Sequence, residues 1–243
     1  SRQVYRDMAV GTAQPSVSEL QAVPHHFVAE LPPDGEFNAG RFGTLGRKAI
    51  GEIFGRGRVP LVVGGSGLYL RSLLRGLFEG PEAEREVREI LEERLKTEGA
   101  ERLLDELRRI DPAAAETLNP AYKRRIVRAL EIYALSGKTM TELHRGARIE
   151  IPFGSLQIAL RWPRALLYKR IDARVIGMVN EGLVEETRRL LERGYPPGLR
   201  SLQTVGYREA IAHIGGRLTR QEMISLIQMN SRRFAKRQLT WFR

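Results

Sequence analysis

The sequence predicts an α/β core that is interrupted by an all-helical insertion. Two apolar segments predict the core: residues 61–63 are continuously apolar and lead into a Gly-rich loop, and residues 156–160 alternate as a strand does. The long stretch between them shows charged amphipathic helices and no convincing strand. We therefore expect a core made of residues 1–80 and 151–243, and an insertion made of residues 81–150.

The first part of the core reads as helix, strand, Gly-rich loop and helix. The helix is predicted because apolar residues recur at helical spacing between Gly40 and Gly57, namely Phe42, Leu45, Ala49, Ile50, Ile53 and Phe54. After the short strand, the loop Gly64-Gly65-Ser66-Gly67 leads into a helix. Such a loop presents backbone N–H groups and the Ser66 hydroxyl to an anion, although an ordinary Gly-rich turn is the alternative. It is not a Walker loop, because no Lys follows the glycines.

The insertion and the C-terminal part are predicted to be helical. In the insertion, Asp111-Pro112 is a favoured helix start, and Gly137 is interpreted as a helix C-cap. Gly137-Lys138-Thr139 resembles the end of a phosphate-binding loop, but Ile132 stands where the required Gly would be. The other predicted helices of the core are 165–180, 184–193 and a long final helix, 219–241.

The composition favours an anionic partner. The chain carries 40 Lys and Arg against 29 Asp and Glu, and only six of the basic residues are lysines. Arginine is suited to bidentate phosphate contacts and to stacking on bases, so a nucleic acid partner is favoured. A solvated basic surface is the alternative that composition leaves open.

Several classes of site are excluded or disfavoured by residue usage. Without cysteine, the chain has no disulfide, no thiolate nucleophile and no zinc–thiolate site. The four histidines lack metal-ligand spacing, so we predict no metal-ligating residues in these 243 residues. No apolar run has membrane-spanning length and no signal-peptide pattern is present, so a soluble cytoplasmic protein without membrane contact is expected.

Basic residues recur on the same faces of three predicted helices. Arg124 and Arg128 form one such pair, Arg170 and Arg174 another, and the final helix carries Arg232, Arg233, Lys236 and Arg237 before the ending Gln238-Leu239-Thr240-Trp241-Phe242-Arg243. Basic residues interleaved with aromatic and amide side chains suit an RNA surface, with a solvated charged face as the alternative. Among acidic residues, Glu185 and Glu186 are interpreted as surface or ion-paired, and Asp7 is noted without a role.

Seven motifs, taken together and in order, resemble the tRNA dimethylallyltransferase (tRNA isopentenyltransferase) family. They cover essentially the whole chain: Ser1-Arg2-Gln3-Val4-Tyr5, Gly11-Thr12-Ala13, Val23-Pro24-His25-His26, Val63-Gly64-Gly65-Ser66-Gly67-Leu68-Tyr69, Arg125-Ile126-Val127-Arg128-Ala129-Leu130-Glu131, Val205-Gly206-Tyr207-Arg208-Glu209 and Ala235-Lys236-Arg237-Gln238-Leu239-Thr240-Trp241-Phe242-Arg243. The resemblance implies a P-loop NTPase-like parallel sheet without its first βα unit, and a helical insertion that contacts the anticodon stem. It also implies dimethylallyl transfer from dimethylallyl diphosphate to the N6 amine of the adenosine 3′ of the tRNA anticodon, with Mg²⁺ as cofactor and a monomeric enzyme.

The resemblance also implies roles for individual residues. Ser66, where the family usually has Thr, is expected to be catalytic and to contact tRNA, and Arg174 is expected to bind the diphosphate. The tRNA contacts that the resemblance implies are Ser1, Arg2, Gln3, Val4, Arg88, Arg124, Arg125, Arg128, Gln203, Gly206, Tyr207, Arg208, Lys236, Arg237, Gln238, Thr240, Trp241 and Arg243.

Two features of the family pattern are not found in these 243 residues. They are the Gly-rich loop that ends in Lys-Thr and the Asp, the family's proposed base, that should precede Ser1. We therefore expect this chain to be an incomplete, weakly active form of the transferase. A non-catalytic tRNA-binding module and a small-molecule kinase are the alternatives.

Overall fold

The computed structural model describes residues 2–77, 80–81, 84–145 and 151–243, which form parts of two compact units. The first unit comprises Ser1–Asn38, Lys48–Gly67 and Ser155–Arg243, and the second comprises Ala39–Arg47 and Leu68–Gly154. The described part of the chain is helical, with elements α1 (Ala9–Thr12), α2 (Val17–Ala22), α3 (Ala39–Gly55), α4 (Gly67–Arg75), α5 (Arg85–Thr97), α6 (Gly99–Ile110), α7 (Pro112–Glu116), α8 (Lys123–Ser136), α9 (Met140–Arg145), α10 (Arg164–Asn180), α11 (Leu183–Glu192), α12 (Tyr207–Ile214) and α13 (Arg220–Trp241).

The core of the first unit lies among α10, α11, α12 and α13. Its buried residues include Val175, Val179, Leu183, Leu190, Leu202, Tyr207, Met223 and Ile227. The chain before α1 packs into the same core through Val4, Tyr5 and Met8. Burial of a side chain of this size stabilises the fold by about 1.5–3 kcal/mol, so the N-terminal segment is anchored rather than loosely attached.

The second unit has a separate core, formed chiefly by α5, α6 and α8. It is built from Leu91, Leu103, Leu104, Leu107, Ile126, Val127 and Leu130. Two local predictions are confirmed here. Asp111 caps α7, accepting a hydrogen bond from the Ala114 amide with Pro112 at the first helical position, and Gly137 ends α8 in the left-handed conformation, with φ 65°.

The predicted parallel sheet is not confirmed. Residues 61–63 and 156–160 belong to no strand, and their side chains point largely to solvent, with Leu61 85% and Leu156 89% exposed. The bridge found in the described part of the chain joins Tyr5 and Leu31 in parallel. A strand needs a neighbouring strand for its backbone N–H and C=O groups, whereas apolar patterning indicates only that side chains favour burial. Neither segment pairs with a neighbouring strand among the residues that the structure describes.

A helix that spans a membrane has to be both long and apolar. Across residues 2–77, 80–81, 84–145 and 151–243, none is both long and apolar enough to span a bilayer.

Candidate functional site

The Gly-rich loop lies directly against the C-terminal helix α13. The side-chain Nε2 of Gln238 donates a hydrogen bond to the Gly65 carbonyl oxygen at 2.9 Å. A Cβ atom at Gly65 would overlap the Gln238 amide, and one at Gly67 would overlap the Trp241 indole. A side chain at either position would therefore push Gln238 or Trp241 aside, and Ser66 is half-buried between them, just before α4. The structure thus brings three predicted site residues, Ser66, Gln238 and Trp241, into one place.

The exposed side of α13 is strongly cationic. Arg232 is neutralised by Asp172 of α10, with 2.5 Å between Nη1 and Oδ1. The other cations of the helix end form no ion pair with any residue that the structure describes: Arg233, Lys236, Arg237 and Arg243. The Thr240 hydroxyl turns inward and donates to the Lys236 carbonyl oxygen. Positive charge without an acidic neighbour is available to phosphate groups.

Helix α10 presents arginines that pack on aromatic rings, a feature that the sequence reasoning missed. The Arg170 guanidinium lies 4.6 Å from the ring centroid of Trp162. Tyr168 has Arg164 at 5.7 Å and Arg232 at 5.9 Å from its ring centroid. The spacing of four between Arg164 and Tyr168 could have predicted that these two side chains meet. Arg232 comes from another helix, so its contact with Tyr168 could not be predicted from spacing.

Arg174, the predicted diphosphate ligand, is exposed on α10. It has no ion-pair partner within the described ranges, so its charge is available to a ligand. The role in diphosphate binding stays a prediction.

The N-terminal loop, which we define as residues 2–14, is closed by side-chain amides. Gln3 donates from Nε2 to the Ala13 carbonyl oxygen at 2.5 Å. Gln14 donates from Nε2 to the carbonyl oxygens of Gln3 at 2.9 Å and Tyr5 at 2.7 Å. The Val4 side chain is buried, which leaves only its backbone for a tRNA contact, while Arg2 is half-buried. Ser1 lies outside the described residues.

Asp7 sits in the same loop, in the left-handed conformation with φ 63°. Its carboxylate forms an ion pair with Arg193 at 2.7 Å, at the C-terminal end of α11. The ion pair raises the pKa of Arg193 above its ordinary value. Asp7 therefore has a structural partner, and the geometry gives it no catalytic role.

Glu186 corrects the interpretation of the acidic pair on α11. Glu185 is exposed as expected, but Glu186 is buried and accepts hydrogen bonds from the backbone amides of Val10 and Gly11 and from the Tyr207 hydroxyl. Burial, the Glu186 charge and this hydrogen bond raise the pKa of Tyr207 well above its ordinary value. The spacing of Leu183, Glu186 and Leu190 places them on one helix face, and this was the signal for burial.

The start of α12 also differs from the prediction. Gly206, at φ 102°, and Tyr207 are buried rather than exposed, so the Tyr207 ring is not presented to RNA here, and the predicted tRNA contacts of Gly206 and Tyr207 stay predictions. The Gly206 amide donates to Glu209 Oε2 at 2.8 Å, and Glu209 Oε1 accepts from Arg208 at 2.7 Å. Arg208 and Gln203 have exposed side chains and remain candidates for tRNA contact, although Gln203 Nε2 also donates to the Pro197 carbonyl oxygen.

In the second unit, two predicted RNA-contacting arginines have an acidic partner. Arg88 and Arg128 both approach Oε2 of the fully buried Glu131, at 3.3 and 2.8 Å. Arg124 and Arg125 are exposed, and Arg125 lies over the Tyr122 ring. The charge of Arg124 and Arg125 is therefore more available to phosphate than that of Arg88 and Arg128.

A predicted Mg²⁺ needs protein side chains that could hold it. Mg²⁺ prefers carboxylate and other oxygen ligands, and the described ranges contain no group of three or more His, Cys, Asp or Glu residues placed to bind a metal ion. These residues do not by themselves form a Mg²⁺ site, so no chemical step is assigned to the ion.

A Gly-rich loop held against an arginine-rich helix is an arrangement suited to phosphates and RNA. The family follows from comparison: residues 3–243 match the model of the IPP transferase family, and the chain belongs to that family. It is 44% identical to tRNA dimethylallyltransferase 1 of Syntrophotalea carbinolica, over 100% of this chain and 77% of the relative. It is 45% identical to the tRNA dimethylallyltransferase of Desulforudis audaxviator, over 100% of this chain and 78% of the relative.

Solved structures agree with this assignment. The full-length tRNA isopentenylpyrophosphate transferase of Bacillus halodurans is 39% identical with a TM-score of 0.69, and the alignment covers 100% of this chain and 76% of that chain. A eukaryotic dimethylallyltransferase, described as acting on tRNA, is 28% identical with a TM-score of 0.83, over 100% of this chain and 62% of that one. The family resemblance inferred from the seven motifs is confirmed.

Proposed function

We propose that the protein transfers the dimethylallyl group of dimethylallyl diphosphate to the N6 amine of the adenosine 3′ of a tRNA anticodon. Family membership supports the reaction class. The location of the site is supported by one observation: the Ser66 loop lies against Gln238 and Trp241 on the cationic helix α13. It puts a hydroxyl-bearing, Gly-rich loop next to side chains that suit a nucleic acid.

The chemistry requires charge stabilisation on the leaving group. The N6 nitrogen forms a bond to C1 of the dimethylallyl group, the C1–O bond breaks, diphosphate departs, and the amine proton passes to a base. Negative charge grows on the departing oxygens, so a nearby cation or hydroxyl donor lowers the barrier. We assign these roles to the Arg174 guanidinium and the Ser66 hydroxyl. Mg²⁺ is kept as a proposal; when bound through the diphosphate oxygens it would neutralise part of their charge.

RNA binding is assigned to exposed cations. Arg233, Lys236, Arg237 and Arg243 suit the tRNA backbone, and Trp241 offers a ring for stacking. The target base must leave its stack to reach the site. In the second unit, Arg124 and Arg125 suit the anticodon stem. We also propose a monomeric, cytoplasmic enzyme with a P-loop NTPase-like core to which residues 61–63 and 156–160 belong, because both segments are rich in apolar side chains.

The test is incorporation of label. The full-length protein is incubated with isotopically labelled dimethylallyl diphosphate and unmodified tRNA that carries adenosine after the anticodon. Label in that adenosine is expected. Salt-sensitive tRNA binding without any label would instead favour a non-catalytic binding module, and phosphoryl transfer independent of RNA would favour a kinase.

The role of Ser66 is tested with two substitutions and a control. Ser66→Ala removes the hydroxyl and should lower kcat by about 10²-fold, the effect of losing one well-placed donor, with little change in tRNA affinity. Ser66→Thr keeps the hydroxyl and should stay close to the wild type. Ser225→Ala, an exposed position near the start of α13, is the matched control. Equal kcat for Ser66→Ala and Ser225→Ala would exclude a role for the Ser66 hydroxyl.

A further inference from the structure

We propose that Glu186 is a positioning residue, whose buried carboxylate holds the N-terminal loop in the conformation needed for prenyl transfer. The proposal rests on the proposed function, because it takes residues 2–4 of the loop as those that face the target nucleotide. Glu186 itself is buried inside the first unit, so its carboxylate is not presented to tRNA or diphosphate. It acts through the backbone of the loop.

The carboxylate of Glu186 joins three helices. Oε2 accepts from the Val10 amide at 2.9 Å, and Oε1 accepts from the Gly11 amide at 3.0 Å and from the Tyr207 hydroxyl at 2.5 Å. Glu186 is only 4% exposed, and the structure gives it no ion pair within the described residues. A buried carboxylate is costly unless its oxygens are hydrogen-bonded. The three donors are therefore held in place, and α1, α11 and α12 are fixed to one another.

The N-terminal loop needs such an external partner. Helix α1 has four residues, too few to be stable alone, and its N-cap residue Met8 gives no side-chain hydrogen bond. Glu186 supplies the missing acceptor to the amides of the first turn. The loop also contains Asp7 and Ala13 at positive φ, a conformation that costs about 1–3 kcal/mol per residue and persists only when neighbours hold it.

Packing adds to the hydrogen bonds. A Cβ atom at Gly11 would overlap the Tyr207 ring, so the loop backbone lies directly on the ring whose hydroxyl Glu186 accepts. The other side-chain tether to α11 is the ion pair of Asp7 with Arg193, which is partly exposed on both sides. Exposed ion pairs stabilise weakly. Beside the apolar anchors Val4, Tyr5 and Met8, Glu186 is therefore the principal polar tether between the loop and the helices.

Loss of the tether should affect the reaction more than tRNA binding. The cations assigned to tRNA lie on α13 and in the second unit, and none of them is a hydrogen-bond partner of Glu186, so the affinity for tRNA should be preserved. The loop controls how the target nucleotide is presented, and a misplacement of about 1 Å costs on the order of 10²-fold in rate.

The test uses Glu186→Gln with Glu185→Gln as the matched control. The glutamine keeps the size of the side chain but places an NH₂ group where the carboxylate accepted from N–H donors. Well below the melting temperature, kcat should fall about 10–100-fold, with tRNA Kd within twofold of the wild type. Glu185→Gln, one residue away and exposed, should match the wild type. Unchanged kcat in a folded Glu186→Gln protein would overturn the proposal, even if its melting temperature fell.

A second measurement keeps this test separate from the proposed function. In Glu186→Gln, hydrogen exchange of the Val10 and Gly11 amides should speed up while that of α13 stays unchanged. Unchanged exchange in the loop would refute the positioning role whether or not the wild type modifies tRNA, whereas absence of label with wild type would refute the proposed function alone. If Glu186→Gln does not fold, Tyr207→Phe removes one donor and should give a smaller change of the same kind in both measurements.

Discussion

Gly67→Ala is the sharpest local perturbation of the candidate site. Gly67 opens α4, and the Trp241 indole of α13 lies against its Cα hydrogens. A Cβ atom there would lie well inside the ordinary carbon–carbon contact distance of about 3.5–4.0 Å. The helix backbone is held by its hydrogen bonds, so the indole has to move.

The cost of Gly67→Ala to stability depends on how easily the Trp241 ring can move. Trp241 is 45% exposed, so it can rotate away at modest cost to folding. We expect a loss of about 1 kcal/mol or less in the free energy of unfolding, below the usual overpacking range of about 1–3 kcal/mol in a closed core. Activity should suffer more, because displacing the ring by about 1 Å or more from the Ser66 loop corresponds to a rate loss on the order of 10²-fold.

The assay combines kcat with tryptophan emission. The chain has two tryptophans, so the Trp162→Phe background leaves Trp241 as the reporter. Gly67→Ala should shift the Trp241 emission to longer wavelength and lower kcat. Gly64→Ala is the control, because a Cβ atom at Gly64 meets nothing within 4 Å. If both variants keep wild-type emission and kcat, the close approach of α13 to the loop is not relevant to function.

Two further predictions concern tRNA binding and stability. Arg237→Ala should weaken tRNA binding and lower the slope of log K against log salt concentration by about 1. Arg217 is exposed outside the candidate site, so Arg217→Ala should leave the salt titration unchanged. Identical slopes for the two variants would contradict a phosphate contact at Arg237. Burial alone would raise the pKa of Asp111, but hydrogen bonds from Thr141 and Ala114 outweigh it and hold the pKa below the ordinary 3.8. The ionised Asp111 carboxylate therefore contributes its full stabilisation above pH 3.8, and this is lost as pH falls through the lowered pKa of the folded state. The free energies of unfolding of wild type and Asp111→Asn should differ by about 1–3 kcal/mol at pH 7 and converge in acid. A difference that does not change with pH would contradict this.

Local patterns predicted the helices well. The pair Asp111-Pro112 and Gly137 mark helix ends through their own backbone and side-chain chemistry, so neighbouring residues suffice to predict them. Thr219 and Glu222 likewise form a capping box that starts α13, close to the predicted beginning of the final helix. Amphipathic spacing was equally informative for α10 and α11, because the spacing of apolar residues in a short stretch of sequence predicts the buried face of a helix.

Long-range relations could not be predicted in this way. Strand formation at 61–63 and 156–160 depends on a partner segment, which apolar patterning does not identify. The contacts of Glu186 with Val10 and Gly11 join residues 175 or more positions apart, so only the folded chain shows that a charged residue on the apolar face of α11 holds the start of α1. Family motifs drew attention to Tyr207, but they could not distinguish a residue that touches RNA from one that shapes the site from within.

The distribution of acidic partners determines where RNA can bind. The buried Glu131 forms ion pairs with Arg88 and Arg128. These ion pairs reduce the positive charge that the second unit offers to RNA around Glu131. Glu186 is buried too, but its partners are neutral amides and a hydroxyl, so no arginine is withdrawn from the surface. On α13, Asp172 neutralises Arg232 and leaves the following cations without an acid among the described residues. Positive charge is therefore left uncompensated at the end of α13, next to the Ser66 loop, where we propose that the polyanionic substrate is held for the reaction.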